Sequence, residues 1–119
     1  MYVDIVRGQG SECNARRFLS VGGYGNTGYL TYDAAINAIA AFRMPEDKTE
    51  DRLLMNIHAY VPNGFSFGRD SSWDEASDES DPSGIKAMFT AIGNAYTKKG
   101  VGVIVSEWGS VYKNQRGYE

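Results

Sequence analysis

Glu107 closes the apolar run Val101–Ser106 (VGVIVS) and is followed at once by Trp108 and Gly109. The run shows no alternation, is entered through Gly100 and is rich in β-branched side chains, so it reads as a parallel strand buried on both faces. A carboxylate at the C-terminal tip of such a strand stands where parallel α/β architectures place their chemistry. The aromatic beside it suits a sugar-binding cleft. The plainer structural alternative is a strand-end Glu that caps a helix or pairs with an Arg. A second tip adds to the first. Arg52–Ile57 (RLLMNI) is short and mostly apolar, and it delivers His58, Ala59 and Tyr60 before Val61-Pro62-Asn63-Gly64 breaks the pattern. Period-two alternation projects His58, the only histidine in the chain, and Tyr60 from one face. Asn56 is expected on the other face.

The elements that must position these groups follow from the rest of the pattern. Tyr2, Val3, Ile5 and Val6 precede Gly8 and Gly10, consistent with a helix end and a glycine stop. Arg17–Val21 reads as a first strand feeding the turn Gly22-Gly23-Tyr24. Tyr32–Phe42 (YDAAINAIAAF) is Ala-rich, with Ile36 and Ile39 three apart, and reads locally as a short helix. Residues 63 to 83 form a long connection with Phe65, Phe67 and Trp73, then the acidic run Asp74–Asp81. Trp73 could stack on a sugar ring or pin the loop to the body. The acidic run reads as a solvated surface, without EF-hand spacing. Asp81-Pro82-Ser83 then opens the clearest helix, whose stripe is Ile85, Met88, Phe89, Ile92 and Tyr96. Met88 and Phe89 are expected in the core. Lys98 and Lys99 suit the helix C-terminus, and Gly100 ends it. From Arg52 to Glu107 the order is strand, loop, helix, strand, one right-handed βαβ unit.

Four segments, two of them overlapping, together resemble glycoside hydrolase family 5 (cellulase family A). They are YVDIVRGQGSECNARRFLSVGGYGNTGY, FRMPEDKTEDRLLMNIHAY, RLLMNIHAYVP and KKGVGVIVSEWGSV. The resemblance implies an α/β fold: part of a (β/α)8 TIM barrel, about three parallel βα units matching strands 5 to 7, with residues 1–119 a single partial domain. It implies that Glu107 is the nucleophile of a retaining endo-β-1,4-glucanase and that His58 lines the reacting subsite. It also implies that the Tyr60 hydroxyl donates to Glu107; such a bond to the charged form keeps a carboxylate ionised and aimed. A retaining glycosidase needs a second carboxylic acid about 5 Å from the first. The family carries it in Asn-Glu-Pro, and that tripeptide is absent from this sequence. Asp33, Asp70, Asp74 and Glu75, all read as loop residues, are the remaining candidates. Tyr24, Asn26, Trp73 and Trp108 are candidate sugar contacts, although a Gly/Asn/Thr turn needs no function to explain it. Trp108 alternates away from Glu107, so packing explains it equally well.

Composition narrows the classes. With 119 residues and a hydrophobic fraction of 42%, one domain is the ceiling. A net charge of −3 and no basic stripe argue against a nucleic-acid partner. No apolar run approaches the roughly 20 residues of a membrane span. Neither a metal site nor a cofactor is expected, and the single Cys13 cannot form an intrachain disulfide. MYVDIVRGQG has no signal-peptide pattern, while the resemblance implies a secreted, extracellular parent enzyme. Three βα units leave sheet edges unpaired and one face bare. The expected consequences are a homo-oligomer completing the sheet, a flavodoxin-like open packing, or poor stability alone. Two functions stay open: the nucleophile-bearing part of a glucanase acting on a β-glucan, or a non-catalytic carbohydrate-binding or structural fragment. A second carboxylate near Glu107 discriminates them.

Overall fold

The computed structural model describes residues 2–22, 32–61, 63–67 and 82–110. Helix α1 (Tyr2–Arg7) and helix α2 (Glu12–Arg16) precede strand β1 (Leu19–Val21). Ser11 caps α2 by accepting a hydrogen bond from the Cys13 N–H. Helix α3 (Tyr32–Ala41) leads to strand β2 (Leu53–Ala59), a single turn α4 (Asn63–Ser66) and the long helix α5 (Pro82–Ala95). A 3₁₀ turn, Thr97–Lys99, ends at Gly100, whose φ of 84° is the left-handed conformation that favours glycine there. Strand β3 (Gly102–Trp108) follows.

The three strands form one parallel sheet in the order β1-β2-β3. Leu19 lies opposite Leu53, and Met55 opposite Val103. Alternation divides the sheet into two faces. Met55 and Ile57 are buried beneath α3 and α5, joining Tyr32, Ala35, Ile39, Met88, Ile92 and Tyr96 in one core. Close approach of the two helices depends on a missing side chain. A Cβ on Gly84 would fall 2.3 Å from Cδ2 of Tyr32. The helix expected over Tyr32–Phe42 is α3.

The second face of the sheet is different. Ile104, which pairs with Asn56, is 42% exposed, and Ser106 is exposed too. The expectation that β3 is buried on both faces is thus corrected: the apolar run reflects two apolar faces, and only one is covered among the described residues. Phe89 is corrected as well. Met88 is 2% exposed but Phe89 is 46% exposed, because it lines an open groove rather than packing into the core. Parallel strands alternating with helices, with one sheet face bare among the described residues, are what a portion of a (β/α)8 barrel presents.

At the N-terminal end of the strands, a buried ion pair ties distant segments together. The Arg7 guanidinium donates to Asp47 at 2.6 Å and also to the carbonyls of Asn14 and Arg17. Asp47 in turn accepts from the Thr49 N–H. Arg7 holds the Asp47 carboxyl below its ordinary value through these hydrogen bonds, against the opposing effect of burial.

Candidate active site

His58, Tyr60 and Glu107 converge at the C-terminal ends of β2 and β3. His58 and Glu107 are register partners across the two parallel strands, so their side chains leave the same face. Tyr60 lies two residues beyond His58 and shares that face. Its hydroxyl donates to Oε2 of Glu107 at 3.3 Å. His58 Nδ1 stands 3.2 Å from the same oxygen. That approach is out of line with the imidazole nitrogen, and Nδ1 makes no hydrogen bond. The contact is therefore a close approach without a hydrogen bond.

Phe67 sets the phenol ring, its centroid 4.5 Å from that of Tyr60 at an interplanar angle of 45°. Burial raises the Tyr60 pKa above its ordinary value of 10.0, and the charge and hydrogen bond of Glu107 raise it further. Tyr60 thus keeps its proton and remains a donor. The Glu107 side chain is 52% exposed and the His58 side chain only 15%. Among the described residues, Oε1 of Glu107 makes no hydrogen bond. A carboxylate with one oxygen held and the other free, open to solvent at a strand tip, can attack an electrophilic carbon.

Other expected site residues fall elsewhere. Trp108 pairs with Ala59 and lies 76% exposed on the helix side of the sheet. There it lines an apolar groove of about 490 Å³ with Val61, Phe65, Met88, Phe89 and Val105. It is not gathered with Glu107. Tyr24, Asn26 and Trp73 lie outside the described residues, as do Asp70, Asp74 and Glu75. Asp33, expected on a loop, sits exposed in the first turn of α3. Asn56 overturns its expectation: an offset of two from His58 is even, so it shares the His58 face, where its Oδ1 accepts from Ser106 Oγ. Sequence reasoning also missed Ser106, and nothing in its residue type would have marked it.

A carboxylate, a phenol and an imidazole gathered at the tips of parallel strands can serve nucleophilic or acid–base chemistry. Comparison gives the family. The chain belongs to the cellulase family, glycosyl hydrolase family 5, whose model matches residues 2–119. It is 32% identical over 112 residues to Endoglucanase 1 of Ruminococcus albus, covering 94% of this chain and 25% of that protein. The structure of a GH5-4 broad specificity endoglucanase from Ruminococcus champanellensis with bound cellotriose superposes with a TM-score of 0.69. It shares 30% identity, with 95% of this chain and 30% of that one covered. A GH5-4 broad specificity endoglucanase from Bacteroides salanitronis gives a TM-score of 0.77 at 24% identity, over 95% of this chain and 30% of that one. The chain therefore spans only a quarter to a third of the proteins it matches.

Proposed function

We propose that this chain, as one partial-barrel unit, carries the nucleophile half of a retaining endo-β-1,4-glucanase site, with Glu107 as nucleophile. The observation that carries the reading is the asymmetric treatment of the Glu107 carboxylate. Oε2 is engaged by Tyr60 at 3.3 Å and approached by His58 at 3.2 Å, while Oε1 has no hydrogen bond among the described residues. In the first step Oε1 attacks the anomeric carbon as the bond to the leaving oxygen breaks, and that oxygen takes the electron pair. A natural glucan then needs a proton on the leaving oxygen, because a sugar alkoxide is a poor leaving group. The sequence lacks the Asn-Glu-Pro acid context, so the proton must come from another carboxylic acid. General acid catalysis is worth about 10²–10⁴-fold, which sets the scale of the deficit without one.

The substrate in this reading is a β-1,4-glucan. The family supports it, and a relative of 30% identity holds cellotriose. Tyr24, Asn26 and Trp73 are the proposed sugar contacts, with Trp108 left to packing. In this reading the parent enzyme acts outside the cell, where a polymeric glucan would be met. The test removes the need for an acid. 2,4-Dinitrophenyl 2-deoxy-2-fluoro-β-cellobioside carries a leaving group that departs as an anion without protonation. The expected result is a mass increase of one fluorocellobiosyl unit, mapped to Glu107 and absent from Glu107→Gln. No adduct, or an adduct elsewhere, would sink the reading in favour of a non-catalytic binding fragment.

A further inference from the structure

The ladder between β2 and β3 breaks at one point. Asn56 faces Ile104 and Ile57 faces Val105, but His58 faces Glu107, so Ser106 is an extra residue on β3. This is a β-bulge, and bulges beside functional sites re-aim a side chain. Its effect on Glu107 is decisive. Val105 points to the helix side, where it packs on the core. Strict alternation would put Ser106 on the His58 face and return Glu107 to the apolar helix side opposite Ala59. The extra residue inverts the order from that point on. Glu107 then joins His58 and Tyr60, and Trp108 takes the place opposite Ala59.

A bulge needs something to fix its position, and Ser106 is exposed, so burial does not do it. The hydroxyl of the extra residue itself reaches across the ladder and donates to Oδ1 of Asn56. Asn56 lies one register step from Ile57, where the break begins. We propose that the Ser106–Asn56 hydrogen bond pins the bulge and thereby aims Glu107 at His58 and Tyr60, making Asn56 and Ser106 positioning residues of the site. Their functional weight rests on Glu107 being the reacting carboxylate; their structural role does not.

Two readouts separate those levels. The first uses His58, the only histidine and hence a single set of imidazole NMR signals. In the otherwise unchanged chain, Glu107→Gln should shift those signals. In a Ser106→Ala background the same change should leave them nearly unmoved, because Glu107 has left their vicinity. The second readout is the rate of fluorocellobioside trapping. Misplacing a reacting atom by about 1 Å costs on the order of 10²-fold, so Ser106→Ala and Asn56→Ala should each lose about 10- to 100-fold in the inactivation rate constant. The inhibitor's binding constant should change little. The double variant should fall no further than the worse single, as residues sharing one contact are non-additive. Ser106→Thr retains the donor and should recover most of the rate. A wild-type response of His58 to Glu107→Gln in the Ser106→Ala background overturns the inference. So do wild-type trapping by both single variants and a double variant that loses the product of the two. If the unchanged chain forms no adduct, the proposed function fails and the His58 response alone decides the bulge.

Discussion

Tyr96→Phe removes one oxygen from a side chain that is 3% exposed and tests how the helical layer is held beneath the site. The Tyr96 hydroxyl donates to the Ile39 carbonyl at 3.1 Å, joining the end of α5 to the last turn of α3. Carbonyls of a last turn have no partner within their own helix, so this bond satisfies an orphan acceptor. A neutral hydrogen bond contributes about 1 kcal/mol net, and a buried unsatisfied carbonyl costs roughly 1–3 kcal/mol. The surroundings decide between them. Tyr96 and Ile39 border an open groove of about 690 Å³ shared with Arg43 and Lys99, so water can reach the vacated carbonyl. The expected loss is therefore about 1 kcal/mol, or roughly 3–6 °C in melting temperature for a chain of this size.

Alkaline titration gives the same substitution a second signature. Burial raises the Tyr96 pKa above its ordinary value of 10.0, with Arg43 opposing. The stability that this shift contributes is fully present below pH 10 and lost as pH rises through the higher folded value. Tyr96→Phe should flatten part of that loss in urea titrations above pH 10. The Tyr60 contribution, which has the same sign, should remain. An unchanged melting temperature together with an unchanged alkaline loss would refute the Tyr96–Ile39 bond.

Gly84→Ala should destabilise by about 1–3 kcal/mol in urea unfolding through overpacking against Tyr32. Glycine-to-alanine in an unobstructed helix would instead gain about 1 kcal/mol, so the sign alone decides. Tyr60→Phe keeps the ring contact with Phe67 and removes only the donor to Glu107; its fluorocellobioside trapping should slow several-fold, by stopped-flow release of dinitrophenolate. Asp47→Asn should lower stability at pH 7, since it leaves the Arg7 cation without its carboxylate. The wild-type contribution of Asp47 is present above its ordinary value of 3.8 and lost as pH falls through the lowered folded value, so the variant's melting temperature should depend less on pH in that acid window.

The strands and the long helix were legible because their signals are local. The run Val101–Ser106 is a short unbroken apolar stretch entered through a glycine, and the stripe through Met88, Ile92 and Tyr96 follows from a single helical period. His58 and Tyr60 share a face by the same arithmetic, which, applied to Asn56, puts that residue beside them. The bulge was not legible. Ser106 is an ordinary residue in a strand, and the inversion it causes depends on register with a partner strand some fifty positions away. The Arg7–Asp47 pair was hidden for the same reason, its members standing 40 positions apart. Phe89 shows a different limit: periodicity marks a stripe on α5 but not what covers it. Tyr32–Phe42 was legible as a helix from its alanines, which let α3 lie close on the core, with Ala35 fully buried.

The same geometry separates two deficits that a turnover assay alone would merge. One is chemical: without an acid, a poor leaving group holds the first step back by about 10²–10⁴-fold, and dinitrophenolate cancels that factor. The other is electrostatic. The Glu107 side chain is 52% exposed on a face where Ile104 is also open to water. Charges and dipoles arranged around a reacting carboxylate act weakly at high dielectric, and Tyr60 and His58 are no exception. A better leaving group does nothing for this deficit; only covering the face does. Activated glycosides should therefore restore trapping on Glu107 while leaving it far slower than in an intact barrel, and carboxymethyl-cellulose, which meets both deficits at once, should show no turnover above the Glu107→Gln background. Equal rates on the two substrates would mean that the chain supplies its own acid. Asp33, Asp70, Asp74 and Glu75 would then be the carboxylates to replace one by one.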